Sequence, residues 1–248
     1  YLYFSLSFNK TNVIMKKMKF GALLMAGLMI LSGCNMSNTA KGGLIGGGGG
    51  ALLGAAVGRL IGGNATGTLI GAGVGAAAGT TAGILIGKKM DKAKKAAEAV
   101  ANAQVESATD ANGNAAVKVT FDNGILFQVG KSDLQATAQS SLRQFANNVL
   151  NVYTDCDVAI LGFASADGSD ATNLTLSQNR ANAVRGFLTG NCGVNMAQIR
   201  STQGYGEDPN YLIYDANGKE NQAASRRVEV WLYASQAMVN AANAGTLQ

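Results

Sequence analysis

The chain has 248 residues, enough for one or two domains, and contains no His, which removes His-based triads, imidazole zinc sites and the commonest general base together. Its net charge of +5 is unevenly placed: residues 1–33 hold four lysines and no acid, whereas from residue 103 onward there are 9 basic and 13 acidic residues. Without a basic stripe to neutralise several phosphates in that half, nucleic acid is not expected as a partner.

The chain opens on Tyr1, and the expected start lies downstream, at Met15 or Met18. From there Lys16, Lys17 and Lys19 lead into the apolar run FGALLMAGLMILSG, residues 20–33, the pattern of an export signal. The run is short for a membrane span, which needs about 20 residues. It ends at Leu31-Ser32-Gly33-Cys34, which resembles a bacterial lipobox. The resemblance implies cleavage before Cys34 and lipidation on it, so that residues 1–33 are upstream residues plus signal and residues 34–41 a lipidated tether. An ordinary cleaved signal followed by a chance cysteine is the alternative.

Residues 42–87 carry glycine at every fourth position, from Gly42 to Gly62 and, after Asn64-Ala65-Thr66, again from Gly67 to Gly87. Interleaved Leu, Ile, Val and Ala speak against a flexible linker. A phosphate-binding loop needs G-x-x-x-x-G-K-[ST], and both ends of that motif fail at Gly87-Lys88-Lys89. Positions i and i+4 share a helix face, and glycines there let a second backbone approach closely in lipid. In water each glycine would cost a helix about 1 kcal/mol relative to Ala. The spacing therefore predicts a membrane-associated helical hairpin over 42–87, each arm about 30 Å long at 1.5 Å per residue. Arg59 would snorkel to the interface near the end of the first arm. The segment resembles the glycine zippers of bacterial envelope lipoproteins. A hairpin that self-associates at the membrane surface without spanning is the alternative.

Residues 88–106 are rich in Ala and Lys and read as a solvated helix, giving a helical linker over 88–110. Asp110 to Asn114 reads as a loop. A different periodicity follows. AAVKVTF, 115–121, alternates as a strand; Leu134, Ala138, Leu142, Phe145, Val149 and Val152 form a helical stripe with Ser132 or Asp133 as its cap. DVAILGFA, 157–164, reads as a buried strand, and a second helix is predicted over about 172–189 on Leu174, Leu176, Ala181, Val184, Phe187 and Leu188. Strands near 197–204 and at RVEVWLYA, 227–234, complete the pattern. Strands alternating with helices predict an α/β sandwich, a mixed sheet covered by helices, over 111–236, with 237–248 as a C-terminal tail.

GFASADGSDATNLTLSQNRANAVRGFL, 162–188, together with Gly204-Tyr205-Gly206, Pro209 and Ser225-Arg226-Arg227-Val228-Glu229-Val230, resembles the OmpA-like peptidoglycan-binding domain. The spacing N-x-x-L-S-x-x-R-A (Asn173, Leu176, Ser177, Arg180, Ala181) joined to R-R-V-E carries the resemblance. It implies non-covalent binding of the diaminopimelate in peptidoglycan stem peptides, a zwitterion that needs a guanidinium for its carboxylate and an acceptor for its ammonium. By the same resemblance Arg180 is the ligand arginine, Asn173 a polar residue near the pocket, and one of Arg226 and Arg227 faces it. The family's G-H-T-D reads Gly162-Phe163-Ala164-Ser165 here, so Ser165 stands where a carboxylate is expected, with Asp167 and Asp170 the nearest acids.

Cys156 opens the second strand of this region and Cys192 follows its second helix, points that fall at one end of a right-handed strand-helix-strand unit. A disulfide between them is expected in an oxidising compartment. No metal site and no cofactor are expected. The composite expectation is an outer-membrane lipoprotein tethering membrane to cell wall, with peptidoglycan and membrane lipid as partners and a homo-oligomer as a further option. The competing readings are a pore or assembly module built by the hairpin and, with no His and no second catalytic motif, an enzyme acting on peptidoglycan.

Overall fold

The computed structural model describes residues 80–110 and 113–248. The signal segment, Cys34, Arg59 and the glycine repeat through residue 79 lie outside the described residues.

Helix α1 (Thr81–Glu98) starts at Thr80, whose hydroxyl accepts a hydrogen bond from the Gly83 N–H at 3.2 Å. Ala82, Ile86, Met90, Ala93 and Ala97 recur every three or four residues and are buried. This corrects two expectations. The solvated linker helix is a packed helix, and it begins inside the expected second arm of the hairpin. Its exposed side chains, Lys88, Asp91, Lys92 and Lys95, dominate the sequence, whereas its inner stripe is mostly Ala and leaves little apolar signal. At Gly87 an added Cβ would meet nothing within 4 Å among the described residues.

Asn102, at φ 63°, turns the chain into β1 (Ala103–Thr109). A strand therefore stands where helical linker is expected. It pairs antiparallel with β2 (Ala115–Asp122), from Ala103 opposite Phe121 to Thr109 opposite Ala115. The Asp110 carboxylate accepts from Asn114 N and Nδ2, both at 2.9 Å, and closes this hairpin as the expected loop.

Next come α2 (Asn123–Leu126) and α3 (Ala136–Phe145), which runs into a π turn over Ala146–Leu150. The cap of α3 is Gln135 rather than Ser132 or Asp133, and it makes no side-chain cap bond; Leu134 instead pairs with Phe127 in a short antiparallel bridge. Strand β3 (Cys156–Phe163), α4 (Asp170–Asn191), β4 (Ile199–Gly204) and β5 (Arg227–Ala234) complete the predicted pattern, with a short helix not predicted, α5 (Gln222–Ser225), before β5. The expected tail is instead α6 (Gln236–Asn243), with Met238, Val239 and Ala242 buried.

The sheet order is β1-β2-β5-β3-β4, with β3 and β4 parallel and the other neighbours antiparallel. Helix α4 is the crossover that a parallel pair requires. The fold is the expected mixed sheet covered by helices. One face buries Val117, Val119, Phe121, Val158, Ile160, Val228, Val230 and Leu232 beneath the helices, where Phe121 meets Phe145 edge to face at 5.6 Å. The other face is also closed, by Ala159, Leu161, Phe163 and Trp231 with Tyr205, Tyr211 and Tyr233 against them. Because both faces are covered, β5 is buried at nearly every position despite its alternating sequence. Cys156 and Cys192 are both free thiols, so the expected disulfide is not formed. Burial pushes the Cys156 thiol up to about 12, with Asp155 adding to the effect.

Candidate functional site

Strand register gathers the candidate residues. Arg227 lies opposite both Asp122 and Phe163, and Gly162 lies opposite Gly204. The chain therefore leaves β2, β3 and β4, and enters β5, at one end of the sheet. Loops 127–135, 164–169 and 205–221 meet there.

Helix α4 is pressed against this end. A Cβ at Gly162 or Gly204 would collide with the backbone of Ser177 or Gln178, so only glycine fits where the helix crosses. Ser177 Oγ, wholly buried, donates to Leu174 O and accepts from Gly206 N, both at 2.9 Å. Ser169 caps the helix by accepting from the Thr172 N–H. Asn173 Nδ2 donates to the carbonyls of Ser165 (3.1 Å) and Asp167 (2.8 Å) and also meets Glu207 Oε2. Its donor is thereby committed to holding the 165–167 loop. The N-x-x-L-S-x-x-R-A spacing is thus the inner stripe of α4, polar in its first half: Asn173, Ser177, Arg180 and Ala181 point inward, whereas Leu174 is exposed.

Arg180 is 2% exposed. Its Nε donates to Lys131 O at 3.0 Å, and its guanidinium lies 5.4 Å from the centre of the Phe127 ring. No carboxylate accepts from it, and its terminal nitrogens have no hydrogen-bond partner among the described residues. Burial, with the neighbouring Arg226 adding to the effect, lowers its pKa to about 10. It remains charged at neutral pH, but in surroundings that disfavour the charge. An added carboxylate that reached the free fork would relieve this imbalance.

Arg226 faces the same site. Its Nη1 donates to Ser165 Oγ at 3.2 Å and lies 3.5 Å from Asp167 Oδ2. Ser165 is buried, and Asp167 is held through Oδ1 by Gln222 Nε2 at 2.7 Å. Arg227 does not face the site. Its Nε donates to Glu229 Oε1 at 2.6 Å, its Nη1 to the carbonyls of Tyr211 and Ser225 at 3.1 Å, and its guanidinium stacks 4.1 Å from the Phe163 ring centre. Glu229 also accepts from Trp231 Nε1 at 2.8 Å. Of the sequence candidates, Arg180, Ser165, Asp167 and Arg226 converge, Asn173 organises their loop, and Arg227 belongs to the opposite face of the sheet. Phe127, the Lys131 carbonyl and Gln222 were not foreseen; none stands out by residue type, and only the register brings them in.

The fold and this loop-built end define an α/β sandwich whose polar end is held by a serine-centred helix contact. Residues 126–226 match the OmpA family, and this part of the chain is an OmpA family domain. Residues 15–91 match the YMGG-like Gly-zipper family. The chain is 31% identical to outer membrane porin F of Pseudomonas aeruginosa over 56% of its own length and 38% of the porin. It is 32% identical to the Escherichia coli K12 protein named "Probable lipoprotein YiaD" over 46% of its length and 50% of that protein. It thus spans half or less of each of these relatives. Among solved structures, the cell wall anchor of the T6SS from Pseudomonas aeruginosa aligns at a TM-score of 0.45 and 20% identity, over 59% of this chain and 97% of that one.

Proposed function

We propose that this protein is a cell-envelope lipoprotein that binds peptidoglycan non-covalently through its OmpA family domain and tethers the outer membrane to the cell wall. The carrying observation is Arg180, a buried guanidinium with no acid partner and an unfilled fork, at the loop end of the sheet. A carboxylate of a diaminopimelate-type stem peptide is the partner such a group lacks. The relatives named "Outer membrane porin F" and "Probable lipoprotein YiaD" support an envelope location. The membrane side rests on Cys34 and on the glycine-zipper segment, with lipid on Cys34 as the anchor.

Purified peptidoglycan tests the wall half: the full chain should co-sediment with it and release no muropeptides, whereas released muropeptides would indicate an enzyme. Intact mass tests the membrane half, since an unmodified Cys34 in protein from the envelope would remove the anchor. The Gly-zipper match also favours a second reading, an assembly or pore module, for which leakage of dye-loaded liposomes is the discriminating result.

A further inference from the structure

Resting on the wall-binding reading, we propose that the site recognises its ligand through the carboxylate pole of the diaminopimelate centre and that the ammonium pole contributes little. Two guanidiniums, Arg180 and Arg226, face the site: Arg180 has no acid partner and bonds only a carbonyl, whereas Arg226 bonds the Ser165 hydroxyl at 3.2 Å and makes a longer, solvent-screened ion pair with Asp167 Oδ2 at 3.5 Å. Ser165, in the 164–169 loop, is buried and neutral, and its oxygen already accepts from Arg226.

The acids that could replace a carboxylate there are spoken for. Asp167 is bonded to Gln222 and is 59% exposed, so water screens it. Glu207 meets Asn173, and both oxygens of Glu220 accept from Ala166 N at 3.2 and 3.3 Å. Asn123 Oδ1, which has no hydrogen-bond partner, is enclosed and beyond the reach of a docking ammonium. The fork of Arg180 is therefore open to an anion, whereas the acids that a cation would need are already engaged by the protein or screened by water.

Calorimetry on the full chain tests this with three soluble stem peptides. One carries diaminopimelate, one has its side-chain amine replaced by hydrogen, and one has its side-chain carboxyl amidated. The amine-free peptide should bind within about fivefold of the first, the worth of an exposed ion pair. The amidated peptide should lose roughly ten- to hundredfold, the worth of a charge-assisted bond. Ser165→Asp should then make the protein discriminate between the first two by about tenfold, because it restores a buried acceptor. A tenfold or greater loss on removing the amine from the wild-type ligand, or none on amidation, overturns the proposal while leaving wall binding intact. Binding of none of the three peptides overturns both.

Discussion

Two buried arginines sit near opposite faces of one sheet and are solved in opposite ways. Arg227, on the aromatic face, has Glu229 at 2.6 Å, two backbone carbonyls at 3.1 Å and the Phe163 ring beneath it. Arg180, at the loop end, has one carbonyl and one ring and no acid. A buried charge is tolerated where its partners are complete, and desolvation opposes it where they are not. The saturated arginine is thus a structural element, and the unsaturated one is the place where an outside carboxylate gains most. The comparison also sorts residues that look equivalent in sequence: of the adjacent Arg226 and Arg227, only Arg226 shares the loop end with Arg180.

The largest expected effect is on the saturated side. Arg227→Ala leaves Glu229 buried without its cation and should destabilise the fold by about 3–5 kcal/mol in urea unfolding. A loss below about 1 kcal/mol would mean that the pair is not structural and would erase the contrast. On the other side, Arg180→Ala should weaken wall binding by about 1.5–3 kcal/mol, roughly ten- to hundredfold, while unfolding shifts far less than for Arg227→Ala. Arg180→Lys should restore little of that binding, since a point charge replaces a two-pronged donor. If Arg180→Ala unfolds the protein as readily as Arg227→Ala, the two sites are of one kind.

Ser165→Asp sharpens the comparison by placing a buried carboxylate at the loop end, an acceptor for the ligand's ammonium beside Arg226. It should strengthen binding of diaminopimelate-containing peptide by about tenfold in calorimetry, and a null result would show that Asp167 already supplies that charge. Smallest of all is Asp167→Asn. Its carboxylate is 59% exposed, so removing the charge should cost less than about 1 kcal/mol in either stability or binding. A tenfold loss of binding would instead place Asp167 at the ligand.

How much was legible in the sequence follows from where apolar residues mark the inside. β3 and β5 are read directly from DVAILGFA and RVEVWLYA, and α3 from its apolar stripe. Three parts escape. The inner stripe of α1 is largely Ala, and β1 is built from Ala, Gln, Ser and Thr with Val105 and Glu106, so neither carries a strong period. The first half of α4 turns Asn173, Ser177 and Arg180 inward and leaves Leu174 out, which inverts the usual pattern because glycines at 162 and 204 bring the helix backbone to the sheet. Arg180 itself was legible through the motif around it, but its missing partner was not, since an absent acid depends on every loop that could have supplied one. The different environments of Arg226 and Arg227 were likewise invisible, because Arg226 ends the turn of α5 and Arg227 opens β5, a boundary the sequence does not mark.

The most direct test titrates purified peptidoglycan against the full chain and its Arg180→Ala variant, reading the bound fraction by sedimentation and the folded fraction by urea unfolding on the same preparations. The expected result is saturable binding by the wild-type chain and at least about tenfold weaker binding by the variant, with both folded. Wild-type binding by a folded Arg180→Ala protein would contradict the assignment of Arg180 as the ligand arginine.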